Sequence, residues 1–190
     1  MRPYSATLNV HFWMQLEEGS MQLYNVPGNT IVLAQPSSLV CWATVYTMMV
    51  SWKRQQSFGI RDAVAGVGTH YAELFDQNHA LAPGEIPGFM RTAGLSMEPM
   101  RNLPLGEWGR LLRRHGLLWV GTLNSDSSGR HARIIEGFYE DDSSIDRSFF
   151  KIIDPAHGRR YNESFRRFVA TYEGAFTFVN DIYFQIRHYI

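Results

Sequence analysis

Apolar residues recur with helical spacing in the first half of the chain and alternate with polar residues in the second half. The helical spacing predicts helices over 38–52, 61–75, 87–93 and 104–115. Ser37 or Ser38 is suited to cap the first helix, because a serine side chain can accept a hydrogen bond from a free amide of the first turn. Gly94 and Gly116 are suited to end the last two helices.

The alternation in the second half predicts an antiparallel sheet. Strands are expected over 117–122, 132–138, 149–153 and 176–186, with one more near the start of the chain over 7–13. Helices followed by antiparallel strands are typical of an α+β fold with a cleft between the two parts. We therefore expect one domain over 1–190, in which a helical part at about 36–115 packs on a sheet part at about 117–190.

Composition limits the classes of partner. Hydrophobic residues make up 45% of the 190 residues, as in a packed globular protein. Eighteen basic and 18 acidic side chains give a formal net charge of zero, which argues against a nucleic-acid or anionic-membrane partner. The arginine pairs at 159–160 and 166–167 are interpreted as part of a solvated face.

The absence of a recognisable targeting signal predicts synthesis in the cytoplasm. Residues 1–7 carry no apolar run of the kind found in a cleavable signal peptide, and the apolar stretch 39–52 is too short to span a bilayer. Export by a system that needs no cleavable signal, followed by action in the cytoplasm of a target cell, remains open.

A single cysteine, Cys41, limits the covalent and metal chemistry. One cysteine excludes an intrachain disulfide and any multi-cysteine metal site, and no histidine pair has the sequence spacing typical of zinc ligands. We predict no metal and no cofactor. A lone cysteine is most often a small buried hydrophobic residue, but Cys41 falls in the first turn of the first predicted helix.

That position favours a nucleophilic role for Cys41. The free amides and positive dipole end of a helix start favour a thiolate over a thiol, and the thiolate is the form that attacks a carbonyl carbon. Gln35 lies six residues upstream. Its side-chain amide could stabilise an oxyanion together with the backbone N–H of Cys41.

A cysteine nucleophile needs an imidazole base and a group that orients it. His131 begins the predicted strand 132–138, and Asp154 follows the predicted strand 149–153. A hairpin centred in the polar segment between them places His131 opposite Asp154 or beside it, unless a β-bulge shifts the register. His157 is the main competing base and lies in a predicted loop, whereas His70, His79 and His115 are expected to have structural or surface roles.

The ordered set Gln35, Cys41-Trp42-Ala43, His131-Ala132 and Asp154 resembles the papain-like cysteine peptidases. The match is to their compact bacterial branch, which includes effector peptidases and bacteriocin-processing peptidases. It covers residues 31–158, and the segments 1–30 and after Tyr161 carry none of its motifs. The family's orienting residue is commonly Asn, where this chain has Asp154 followed by proline.

The resemblance implies that Cys41 is the nucleophile, His131 the general base and acid, Asp154 the orienting group and Gln35 an oxyanion donor. It implies a bacterial effector or toxin domain that cleaves a protein substrate and has an inhibitory or immunity partner. Two alternatives remain open at this point. The same groups could serve glutamine deamidation, transglutamination or peptidoglycan amide hydrolysis, or the chain could be a non-enzymatic binding module with a papain-like scaffold.

Overall fold

A computed structural model describes residues 21–99, 101–124, 129–174 and 182–190. Six α-helices lie in these ranges: α1 (Cys41–Arg54), α2 (Ile60–Ala65), α3 (Thr69–Asp76), α4 (Ile86–Ala93), α5 (Leu105–His115) and α6 (Phe165–Glu173). Seven strands accompany them: β1 (Met21–Asn25), β2 (Leu95–Glu98), β3 (Leu118–Leu123), β4 (Arg130–Asp141), β5 (Phe149–Asp154), β6 (Arg159–Ser164) and β7 (Ile186–Tyr189). The predicted α+β class is confirmed. The predicted strand 7–13 lies outside the described residues.

The described strands form one antiparallel sheet in the order β2-β7-β3-β4-β5-β6. Strand β4 is long enough to pair with two strands along the same edge. Its first half pairs with β3, and its second half pairs with β1. A β-bulge between Ile135 and Gly137 shifts the register with β5, and a side chain at Gly137 would come within 2.5 Å of the Tyr24 carbonyl oxygen.

Helix α1 runs through the core. Every residue from Trp42 to Ser51 is buried, and the helix packs on β4. The helix begins at Cys41, with Val40 as N-cap and no side-chain cap, so the predicted serine cap is wrong. A residue from elsewhere holds this end instead, because the backbone N–H of Leu39 donates to Asn78 Oδ1 at 3.0 Å.

Helices α5 and α6 cover part of the sheet through an aromatic cluster. The buried Trp108 ring of α5 meets Phe150 of β5 and Phe168 of α6 edge-on, at centroid distances of 5.8 and 5.3 Å. Tyr172 completes the cluster at 5.2 Å from Trp108. This packing fixes β5, and therefore its last residue Asp154, against the rest of the fold.

The structure corrects several predicted boundaries. The helix predicted over 61–75 is two helices, because the glycines at 66 and 68 interrupt it. Within the strand predicted over 176–186, residues 182–184 form a 3-10 turn and β7 begins only at Ile186. Residues 176–181 lie outside the described part of the chain.

The division into a helical part and a sheet part is also too simple. Strands β1 and β2 precede His115 yet join the sheet, and helix α6 lies between β6 and β7, inside the predicted sheet part. Strands β1 and β2 are short, with five and four residues, so they offer too little alternation to be recognised.

Among the described residues, no helix is both long and apolar enough to cross a membrane.

Candidate active site

Three elements bring the predicted site residues to one cleft. Cys41 is the first residue of α1, His131 is the second residue of β4, and Asp154 is the last residue of β5. Each therefore lies at the end of an element that packs in the core, and its side chain reaches the cleft from there. Cys41 is partly exposed, whereas the side chains of His131 and Asp154 are 13% and 11% exposed.

His131 and Asp154 form a short hydrogen bond. Nε2 of His131 lies 2.7 Å from Oδ1 of Asp154. The register differs from the predicted one, because the Ile134–Ile153 pair, continued by one step, places Asp154 beside Arg133. His131 lies two residues before Arg133 on β4. Its side chain is on the same face as that of Arg133, since successive side chains of a strand alternate between faces. The two side chains thus meet diagonally and not directly across the ladder.

Cys41 lies next to the His131 ring, at the same pocket, and its side chain helps to raise the pKa of this histidine. Because Asp154 occupies Nε2, the nitrogen that remains for Cys41 is Nδ1. Burial alone would lower the pKa of His131, but its bonds to Asp154 and Cys41 and their charges raise the pKa to about 9. The ring between sulfur and carboxylate therefore stays protonated well above neutral pH.

Asp154 is held in its ionised form. Burial would raise its pKa, but the hydrogen bond and charge of His131, the Ala156 backbone N–H at 2.9 Å and the charge of Arg133 lower it to about 2. The Tyr161 hydroxyl lies 3.4 Å from the other carboxylate oxygen, Oδ2. These contacts fix the carboxylate plane, and with it the orientation of the His131 ring.

A buried ion pair that the sequence analysis missed supports this carboxylate. Arg133 is buried, and its guanidinium donates to Glu163 Oε2 at 2.8 Å and to the Tyr161 hydroxyl at 2.9 Å. Further bonds reach the hydroxyls of Thr122 and Thr171. The alternation on β4 could have revealed this network, because a charged residue at position 133 interrupts the apolar run.

Gln35 lies at the same cleft, beside His131 and Asp154. Its backbone N–H donates to the Pro155 carbonyl at 2.8 Å, which ties the segment before Cys41 to the residue after Asp154. Its side-chain Nε2 donates to the carbonyls of Ser37 and Ser38 at 2.8 and 3.1 Å. The amide therefore braces the loop that leads to Cys41.

An apolar pocket of about 240 Å³ opens beside Cys41 and His131. Trp42 forms part of its wall, and the Trp42 indole N–H donates to the His79 carbonyl at 3.0 Å, which fixes that wall. The other apolar and aromatic lining residues are Leu39, Ala80, Leu81, Ile86, Met90, Trp119, Ala132 and Tyr183. A pocket of this kind favours an apolar side chain next to the reacting bond.

A polar groove of about 740 Å³ extends from the other side of His131 and Asp154. Its lining carries four arginines and two carboxylates: Arg130, Arg133, Arg159, Arg167, Asp154 and Glu163. The sequence analysis assigned Arg159 and Arg167 to a solvated face, but both line this groove. The neighbouring Arg160 and Arg166 pair with Glu136 and Asp146 instead.

Among the described residues, His131 is the histidine that lines the pocket with Cys41. His157, the competing base, is exposed in the turn after Asp154, and it is the His131 ring that bonds Asp154. His70 pairs with Glu85 at 2.6 Å on the surface. His115 stacks on His188 at the far end of α5, with ring centroids 3.6 Å apart.

This arrangement of a helix-start cysteine, a strand histidine and a following aspartate is the one that the resemblance in the sequence implied. The family described as papain-like cysteine protease AvrRpt2 matches residues 20–173. The chain belongs to this family. Comparison with curated proteins gives no match. The AvrRpt2 family is a bacterial effector family, so the chain is a papain-like cysteine peptidase, a hydrolase that acts on protein substrates.

The AvrRpt2 family match is longer than the resemblance in the sequence, which covered 31–158. The added segments are those that the motifs did not reach. Strand β1 pairs with β4, and helix α6 packs on β3 and β6. Both support the sheet on which His131 and Asp154 lie. These two segments therefore belong to the fold although they carry no catalytic motif.

Proposed function

We propose that this peptidase works through a Cys41–His131–Asp154 triad. The observation that carries the proposal is the position of the His131 ring, which lines the same pocket as Cys41 and is hydrogen-bonded to the Asp154 carboxylate at 2.7 Å. Cys41 would act as the nucleophile, and His131 as the general acid and base. Asp154 would orient the ring and stabilise its protonated form.

The reaction then follows from which group holds the proton. The Cys41 thiolate attacks the peptide carbonyl carbon, and the C–N bond breaks as His131 donates its proton to the leaving amine. A thioester to Cys41 remains. Water attacks this thioester while His131 takes one proton from it, and the carboxylic acid product leaves as the sulfur returns to a thiolate.

We propose Gln35 and the Cys41 backbone N–H as the donors that stabilise the oxyanion in both halves of this reaction. Cys41 is the first residue of α1, so its N–H has no partner inside the helix. The Gln35 amide would have to release one of its bonds to the Ser37 and Ser38 carbonyls when the substrate binds. That exchange would couple substrate binding to the loop before Cys41.

The substrate would be a host-cell protein whose chain crosses the cleft beside the triad. The apolar pocket would take a large hydrophobic side chain near the scissile bond, and the arginine-lined groove would take the polar continuation of the chain. Action in a host cell follows from the effector family.

Alkylation of Cys41 followed by intact mass tests the triad. The chain has one cysteine, so every adduct is assignable. Wild type should react quickly near neutral pH, and His131→Ala should react slowly at the same pH, because the imidazole that takes up the thiol proton is then missing. His157→Ala is the matched control, because this imidazole is exposed in the same groove and makes no bond to Cys41.

Cleavage of host-cell lysate proteins, mapped by new N-termini, tests the reaction itself. New termini should appear with wild type and should be absent with Cys41→Ala. Equal alkylation rates for wild type and His131→Ala would overturn the triad. Fast alkylation with ammonia release and no new termini would instead indicate an amide hydrolase that leaves the chain intact.

A further inference from the structure

A second cluster of chemically active side chains lies away from the cleft, where β2, β7 and the end of α5 meet. Glu98, His115 and His188 each offer one ligand atom there, and the three atoms lie within 4.8 Å of one another. His188 is nearly fully buried, and the Glu98 side chain is 30% exposed. The peptidase reaction does not use this cluster.

The backbone around His188 fixes which ring nitrogen carries the proton. Nδ1 lies 3.0 Å from the Tyr189 carbonyl oxygen, which can only accept, so Nδ1 must donate. In the neutral ring, Nε2 is then the lone-pair nitrogen, and it faces Glu98 Oε1, another acceptor. Two facing acceptors need a cation between them. A backbone carbonyl that accepts the other N–H is the usual support of a metal-binding histidine.

The distance between the imidazole nitrogen and the carboxylate oxygen distinguishes a shared proton from a metal ion as that cation. In the two other imidazole–carboxylate pairs of the described chain that share a proton, the atoms lie 2.7 Å apart in His131–Asp154 and 2.6 Å apart in His70–Glu85. The His188–Glu98 separation is 3.3 Å. Nitrogen and oxygen ligands at about 2.1 Å from one tetrahedral ion lie roughly 3.4 Å apart. The separation therefore matches two metal ligands better than a charge-assisted hydrogen bond.

His115 supplies the third ligand. It is the last residue of α5 and is partly exposed beside the other two ligand atoms. It stacks on His188 at 3.6 Å with an angle of 26° between the rings, so a rotation of its side chain would turn its nitrogen towards the shared point.

We propose that Glu98, His115 and His188 bind one divalent transition-metal ion, of which Zn²⁺ is the best fit. Two imidazoles and one carboxylate are ligands that Zn²⁺ accepts, and water would fill the fourth position. This differs from the sequence expectation of no metal. The ion would tie β2 and β7 at the sheet edge to the end of α5. Its role is structural, since the cleft is elsewhere.

Co²⁺ titration followed by visible absorption tests the site, with all variants made in a Cys41→Ala background so that the cleft offers no thiolate. One equivalent should bind with the strong d–d bands of four-coordinate Co²⁺, and Zn²⁺ should displace it. Glu98→Gln and His115→Gln should each weaken binding at least tenfold. The matched control is His70→Gln, which removes an imidazole from the surface pair with Glu85 and should leave binding unchanged.

A second measurement does not depend on the absorption spectrum of the bound metal ion. Zn²⁺ should raise the unfolding temperature of the Cys41→Ala protein, because a ligand that binds only the folded state stabilises it, and Glu98→Gln should remove this rise. Glu98 and His115 are partly exposed, so these variants are informative even where a change at the buried His188 prevents folding. No stoichiometric binding to the folded protein, or binding that both variants leave intact, would overturn the proposal.

Discussion

Nε2 of His131 and Oδ1 of Asp154 lie 2.7 Å apart, although the strand register sets their backbones diagonally and not directly opposite. The diagonal places Arg133 next to Asp154 in the ladder. Arg133 then lies buried behind the carboxylate, where its charge helps to keep Asp154 ionised. The geometry of the His131–Asp154 pair therefore depends on the buried Arg133–Glu163 ion pair beside it.

Asp154→Asn should move the alkaline limb of the pH profile. The wild-type pKa of His131 is about 9 partly because of the Asp154 charge, and the protonated ring is the form that donates to the leaving amine. Without that charge the pKa falls, and activity should be lost at a pH lower by roughly 1–3 units. The pH dependence of kcat/KM measures this, and an unmoved limb would contradict it. Asp142→Asn, in an exposed turn, is the control.

Gln35→Glu and Gln35→Ala should separate an oxyanion donor from a structural brace. Loss of one oxyanion donor lowers kcat by about 10²–10³-fold, whereas alkylation by iodoacetamide forms no oxyanion and should keep its rate. Peptide hydrolysis and Cys41 alkylation are measured on the same preparations. Equal losses in both reactions would instead assign Gln35 to holding the loop through Ser37 and Ser38.

Glu163→Gln should destabilise the fold strongly. The substitution leaves the buried Arg133 charge without its carboxylate partner, and breaking a buried pair in this way costs about 3–5 kcal/mol. Urea unfolding gives the change. The control is Asp76→Asn, which breaks the exposed bidentate pair with Arg61 and should cost much less, because solvent screens an exposed ion pair. Similar losses for both variants would show that the buried network carries little stability.

Gly116→Ala should cost more stability than Gly94→Ala. Both glycines end helices with positive φ, 78° and 71°. Gly94 has the left-handed conformation, in which alanine is strained by about 1–2 kcal/mol. Gly116, with a ψ of −136°, lies outside that region, where a side chain is more strained still. Only at Gly116 would the new methyl group overlap a side chain, the Trp52 indole, whereas nothing lies within 4 Å of it at Gly94. A further ~1–3 kcal/mol is expected for that overlap. Equal unfolding free energies for the two variants would rule out the steric contribution.

Ala80→Trp should narrow the apolar pocket. Ala80 lines this pocket and is exposed at its edge, so a large ring there occupies the space for a substrate side chain. The value of kcat/KM for peptides with a large apolar residue at the scissile bond should fall at least tenfold, while alkylation of Cys41 is unchanged. Gln77→Trp is the control, since Gln77 is exposed and lies outside the pocket lining.

Local patterns predicted most long elements of the fold. The apolar spacing of α5 and the glycines after α4 and α5 marked those helices to within a residue or so at each end. Short elements were missed, because four or five residues in β1 and β2 carry too little periodicity. The start of α1 was placed too early, because the contact that holds it comes from Asn78, distant in sequence.

The sequence by itself determined the α+β class, the residues of the candidate triad and their order along the chain. Those follow from short-range information: periodicity, a cysteine at a helix start, and a histidine and an aspartate at strand ends. Only the tertiary structure decided the diagonal meeting of His131 and Asp154, the Arg133 network behind it and the cluster at Glu98, His115 and His188. These depend on strand register, a β-bulge and contacts between segments far apart in the chain, which the packing of the whole core fixes and no local pattern encodes.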